Sequence, residues 1–251
     1  MAGSTLASPS TDNKALVAKS SAQSPGREAW RRFKRHKLAV VCTIVLSFIV
    51  LAVLLGPFVW RVPINEIDFM SRMQGPSWAH PLGTDDLGQD ILARVLYGGR
   101  ISLAVGLAAM LIAITVGVVV GAVAGMSKGP VDVFLMWITD LFLSLPQLPL
   151  LLLIFYLFND TLKKMVGPEA GVFVLVVAVI GGLRWMPVAR LVRAQFLTLR
   201  EKEFVEAARA LGASPWRQVT VHILPNAMGP VIVAATIDVA AAIIAESTLS
   251  F

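Results

Sequence analysis

Charge and cysteine are both scarce in this chain. Of its 251 residues only 15% are Asp, Glu, Lys or Arg, and the single cysteine is Cys42. One thiol excludes an intrachain disulfide and leaves the redox compartment unread. No Gly-x-x-x-x-Gly-Lys-Ser/Thr phosphate loop occurs, so the chain is not expected to bind or hydrolyse ATP. No Ser/His/Asp grouping and no metalloprotease helix is visible, which leaves an intramembrane enzyme without a convergent catalytic set. A stand-alone secondary transporter would usually carry an internal repeat, and none is evident.

Apolar side chains fill the space instead. Hydrophobic residues make up 56% of the chain and the mean hydropathy is +0.73, far above an ordinary soluble domain. A bilayer crossing needs about 20 apolar residues in a helix. Five runs meet or approach that length: Leu38–Trp60, Ile101–Met126, Val131–Phe158, Gly171–Leu183 and Val231–Phe251. The fourth is short unless it continues through Arg184 and Trp185 to Pro187. Continuous runs, rather than short alternating ones, call for helices and not a barrel. The expected fold class is therefore an all-α integral membrane protein, a polytopic helical bundle. The first run is too long for a signal-peptide core, and Leu55-Gly-Pro-Phe-Val-Trp60 offers no small-residue cleavage pattern, so a retained signal-anchor is expected.

Two segments follow from this: a basic N-terminal part, 1–37, expected to be disordered, and a transmembrane domain, 38–251. Met1–Gly26 is rich in Ser, Ala, Thr and Pro without periodicity. The net charge of +6 is unevenly placed. Arg27, Arg31, Arg32, Lys34, Arg35 and Lys37 against Glu28 give +5 just before the first run. Arg184–His222 holds seven Arg/Lys and three Glu, whereas Arg61–Arg100 has four Arg and five acids. Cations on alternate sides of successive spans are the positive-inside pattern, which puts the N-terminus and the loop around Glu206 in the cytoplasm. No aromatic stacking surface accompanies the basic residues, so nucleic acid is not an expected partner; membrane lipid is.

Several positions carry more specific readings. Gly117, Gly121 and Gly125 share one helix face and are expected to let another helix pack closely. Pro146 and Pro149 break the third run; a gating kink and a purely structural kink both fit. Asp132 is expected to be solvated at the membrane edge, and Asp140 to reach the interface or a partner. Asp238 and Glu246 lie inside the last run, where a substrate-path role and a hydrogen-bonded structural role both remain open. His80, Asp85, Asp86 and Asp90 match no zinc or EF-hand spacing, so no metal site is expected; ordered loop structure leading into an interfacial helix is.

The one polar, helix-forming stretch between long apolar runs lies around 190–226. Phe204, Ala207, Ala208 and Leu211 recur at i, i+3, i+4 and i+7 beside Arg200, Lys202, Glu206 and Arg209. Gly212 suits a left-handed helix cap, Pro215 the start of a short helix, and Pro225 the start or bend of the helix returning to the membrane.

Glu206-Ala207-Ala208 and Gly212, with Ile223-Leu224-Pro225 beginning eleven residues after the glycine, resemble the cytoplasmic coupling loop of ABC-importer permeases. His80-Pro-Leu-Gly-Thr-Asp85, Gly88, Asp90, Arg94, Gly98 and Arg100-Ile-Ser-Leu103 resemble the N-terminal half of the C-type permease of dipeptide/oligopeptide/nickel importers. The resemblance covers about Arg31 to Phe251. It departs from the family at Gln89, where Arg is usual, and at Ala93, where Ser is usual, which bears on the substrate rather than the family.

The resemblance implies a translocation subunit in the inner membrane of a prokaryote. It implies a second homologous permease, two ATPase domains that hold the ATP and Mg, and an extracytoplasmic substrate-binding protein, with no cofactor in this chain. Glu206, Ala207, Ala208, Arg209, Leu211 and Gly212 are then the ATPase-coupling residues. Di- or oligopeptide is the implied cargo; nickel chelates, glutathione and other small solutes are alternatives. The family continues from Ser-Thr-Leu-Ser-Phe251 into a sixth span, so a sixth span beyond these five is expected.

Overall fold

In the computed structural model, residues 25–127 and 129–250 are described. The fold is helical, and among the described residues no strand is present beyond one isolated bridge between Thr84 and Asp90. The chain falls into two compact units, divided between Leu96 and Tyr97.

The first unit begins with α1, Pro25–Arg35. This corrects the expected disorder for that stretch; residues 1–24 lie outside the described part. The helix has local support: Glu28 and Arg32 pair at 2.5 Å one turn apart, Trp30 stacks on Phe33, and Lys34 sits over the Trp30 ring. His36 then breaks the helix, and α2, Lys37–Val59, forms the first long apolar helix. A loop of about thirty residues with a 3₁₀ turn at Phe69–Ser71 leads to α3, Ile91–Met126.

α3 is one continuous helix of 36 residues, so no separate interfacial helix precedes the second span. At 1.5 Å per residue it is about 54 Å long, far more than the ~30 Å hydrocarbon core, and part of it must stand outside the membrane. Arg94, Tyr97 and Arg100 lie in its first three turns, where the helix continues although the apolar run has not yet begun.

In the second unit the third run is two helices, α4 Pro130–Ser144 and α5 Gln147–Val166, bent by 86°. Leu145 and Pro146 are extended, as expected of a residue preceding proline and of proline itself. Pro149 is absorbed in the first turn of α5, where its missing N–H has no intrahelical partner to lose. α6, Pro168–Gly182, continues after a short break into α7, Trp185–Leu199, and together they form an apolar run of 32 residues. The fourth span thus extends well past Pro187.

α8, Glu203–Ala210, precedes a helical turn at Pro215–Arg217, a π-helical stretch at Gln218–Ile223, and α9, Leu224–Ser250. Among the described residues four helical runs are long and apolar enough to cross a membrane, or five if the bent pair counts as one span.

Two apolar clusters hold the second unit. One gathers Val105 and Ala109 of α3, Leu151 of α5, Leu175 and Ile180 of α6, and Ala242 of α9. The other gathers Val188, Val192 and Phe196 of α7 with Val205, Ile223, Ala227 and Val231.

Candidate functional site

α8 is short and would be marginal alone, so its order comes from its ends and one anchor. Val205 is fully buried in the cluster with Phe196 and Ile223. Removing a Val side chain from water is worth about 1.5–3 kcal/mol. The C-terminus closes in a Schellman motif: Ala213 N–H donates to Ala208 O, and Gly212 N–H to Arg209 O, both at 3.0 Å. Gly212 has φ +81°, and a Cβ there would touch nothing within 4 Å, so the glycine is required by backbone conformation and not by space.

With Val205 turned inward, Glu206, Ala207 and Arg209 face outward and Ala208 is half-buried. Phe204 is 42% exposed and Leu211 89% exposed, so the apolar stripe read from the sequence points away from the bundle. Trp216, 76% exposed, adds to it. The inward anchor Val205 was not part of the sequence reading; its signal was a lone β-branched residue opposite that stripe. The Ile-Leu-Pro element is structural, with Ile223 fully buried beside Val205. Gln218 is buried too, and its Nε2 donates to Ala213 O at 2.8 Å, fixing the turn after Gly212.

The helix that leads into this segment, α7, is tied to α3 by a close seam. A Cβ on Gly117 would stand 2.6 Å from Val188 Cβ, and one on Gly125 would stand 2.5 Å from Phe196 Cβ. Positions 188, 192 and 196 of α7 meet 117, 121 and 125 of α3, two four-residue periods in register. Below the seam Arg200 Nη1 donates to Gly125 O at 2.9 Å, satisfying a carbonyl near the end of α3.

The acids of α4 are paired. Arg193 of α7 holds Asp132 through Nε and Nη2 at 2.5 and 2.6 Å, and Arg190 holds Asp140 at 2.5 Å. Asp132 is therefore not simply solvated, and Asp140 is bound within the chain. The cations that answer them lie fifty and sixty-one positions away, on α7, and only the fold aligns the two helices. Deeper in the run, Arg184 donates from Nε and Nη2 to Asp238 Oδ1 at 3.1 and 2.8 Å, and Ser102 Oγ donates to Glu246 Oε2 at 2.8 Å. Asp238 and Glu246 are each buried and are held by different partners, one in the α6–α7 break and one on α3.

In the first unit the His80–Arg94 motif builds an ordered loop. Asp90 caps α3, accepting from Ala93 N–H at 2.6 Å, from Trp60 Nε1 at 3.1 Å and from His80 Nδ1 at 2.8 Å. Burial pushes the Asp90 carboxyl up, but these donors outweigh it and its pKa lies below the ordinary value. Asp85 is also held low, first by the Gln89 N–H, with further help from Leu87 N–H and its contact with Arg94. Gly83 and Gly88 adopt φ +79°, and a Cβ on Gly88 would collide with the Asp68 carbonyl. Asp90 and His80 are spent on each other.

The family model of the binding-protein-dependent transport system inner membrane component matches residues 117–251, more than half of the chain. The chain belongs to that family. A second model, the N-terminal TM domain of oligopeptide transport permease C, matches residues 24–76. The permease is 37% identical over 225 residues to the dipeptide transport system permease protein of Bacillus subtilis, covering 90% of this chain and 67% of that relative. It is 39% identical over 232 residues to the oligopeptide transport system permease protein of Escherichia coli, covering 90% and 73%. The protein is thus a multi-pass inner-membrane permease of the C type, and in this family ATPase activity and ATP lie on separate subunits.

Proposed function

We propose that this permease carries di- or oligopeptides inward across the cytoplasmic membrane as one half of a pair with a second homologous permease, driven by two ATPase domains. An extracytoplasmic binding protein delivers the cargo. The names of the relatives support the peptide class.

The observation that carries the coupling role is the outward face of α8. Phe204, Ala207 and Leu211 stand exposed beside Glu206 and Arg209, while Val205 ties the same helix to α7 and α9. Such a face suits a protein partner: apolar contact at its centre, a charge on either side, and small alanines that permit close approach. Glu206, Ala207, Ala208, Arg209, Leu211 and Gly212 form the ATPase-docking surface in this reading. The basic flank of the first span and the cations of 184–222 support a cytoplasmic side for α8 and the N-terminus.

The test is ATP-driven uptake of a labelled tripeptide by the complete importer in vesicles. Glu206→Arg combined with Gly212→Val should abolish uptake while the permease still inserts. Uptake at the wild-type rate by that variant would overturn the coupling assignment.

A further inference from the structure

Three interruptions occur midway along three apolar runs of the second unit. The bent span breaks at Leu145–Pro146, the α6–α7 run breaks at Leu183–Arg184, and Asp238 stands in the middle of α9. The first two border one cavity of about 130 Å³, whose lining includes Phe142, Leu145, Gln147, Leu150, Arg184 and Pro187, and Asp238 is joined to its wall through Arg184. An arginine at that depth is costly and calls for a partner or a purpose. Asp238 is the partner, but it engages only Nε and Nη2. Among the described residues Nη1 has no hydrogen bond to protein, and Arg184 lines the cavity. The second donor on the cavity wall, Gln147 Nε2, makes only a long 3.4 Å contact with Leu183 O. The rest of the wall is largely apolar.

We propose that this cavity is a transit site for the carboxylate of the transported solute, with Arg184 Nη1 and Gln147 Nε2 as its donors. The proposal rests on the peptide-permease reading. A cavity of about 130 Å³ suits one terminal residue rather than a whole peptide. The cavity takes the end of the chain that carries the carboxylate. Asp238 sets the strength of the site. A guanidinium free of counter-ion in a low-dielectric wall would hold a carboxylate too tightly to release it; a neutralised one gives the weak, passing contact that conduction requires. Asp238 is thus a positioning residue, fixing the guanidinium and moderating its pull.

The experiment uses the complete importer in vesicles, with p-benzoylphenylalanine in place of Phe142 and a radiolabelled tripeptide as probe. During ATP turnover, light should attach label to this chain. Arg184→Gln and Gln147→Leu should each reduce that adduct about ten-fold or more, as loss of a hydrogen bond to a charged group implies. Asp238→Asn should increase the adduct and lower KM and kcat together, a split that a merely structural ion pair would not produce. If Arg184→Gln does not assemble with its partners, Gln147→Leu decides alone, since Gln147 takes no part in the ion pair. An adduct undiminished in Gln147→Leu overturns the proposal. Tripeptide uptake without any adduct at position 142 also overturns it and leaves the peptide reading standing. No tripeptide uptake at all strikes the peptide reading first.

Discussion

The carbonyl oxygen of Ala189 lies 2.5 Å from the point at which a side chain on Gly121 would begin. A backbone atom cannot swing aside as a flexible side chain does, so α3 and α7 must separate if anything but hydrogen stands there.

Gly121→Leu is therefore expected to destabilise the assembled permease by about 3 kcal/mol or more, at or beyond the upper end of ordinary overpacking. Even Gly121→Ala should lower the thermal midpoint of the purified complex. Gly182→Ala is the control, because a Cβ there meets nothing within 4 Å. An unchanged midpoint for Gly121→Leu would sink the seam.

Gly212 makes a different demand, since only its positive φ is at stake. Gly212→Ala should cost about 1–2 kcal/mol of local order, and Gly212→Asn less, because Asn tolerates the left-handed region. Hydrogen exchange at the Ala213 amide, which closes the Schellman motif, reads this directly. Equal exchange in all three proteins would contradict it.

The Arg193–Asp132 pair should be replaceable in reverse. Asp132→Asn and Arg193→Gln are each expected to cost about 1–3 kcal/mol, the range of a charge-assisted hydrogen bond. The double exchange Asp132→Arg with Arg193→Asp should recover part of the loss. Recovery is measured as yield of complex after heating; a double variant no better than the worse single one would refute a specific pair.

Asp90 predicts a pH limit for the loop that holds it. Its folded pKa is depressed, so its contribution is fully present above the unfolded value of about 3.9 and is lost as pH falls through the lower, folded value. Protection of the Gly83–Arg94 amides should therefore persist down to about pH 4 and fall below it. In Asp90→Asn the protection should be weaker at neutral pH, and this acid dependence should shrink. A loss of protection already complete at pH 6 would exclude Asp90 as the cause.

Much of this was legible in the sequence because it is written in local spacing. The apolar runs, the four-residue glycine period and the left-handed position of Gly212 each depend on residues within a few turns. The proline break of the third run was visible too, though its 86° angle was not. The ion pairs were not legible: Asp132 finds Arg193 and Asp238 finds Arg184 across more than fifty positions, and no periodicity records such meetings. Val205 escaped notice for a related reason. The pattern around it marks the apolar stripe of α8 as the special face, and only packing reveals that the single valine behind that stripe holds the helix in place.

The seam of Gly117, Gly121 and Gly125 has a mechanical corollary. Ordinary helix contacts yield by letting side chains hop between rotamers, but on the α3 side this one has no torsions to turn. Sliding would drive main-chain hydrogen into the ridges of Val188, Val192 and Phe196. The two helices consequently behave as a single plank, and α8, pinned to its lower end through Val205 and Arg200, is a handle on that plank. Movement within this unit is then displaced to joints elsewhere, of which the extended Leu145–Pro146 corner is the most pronounced.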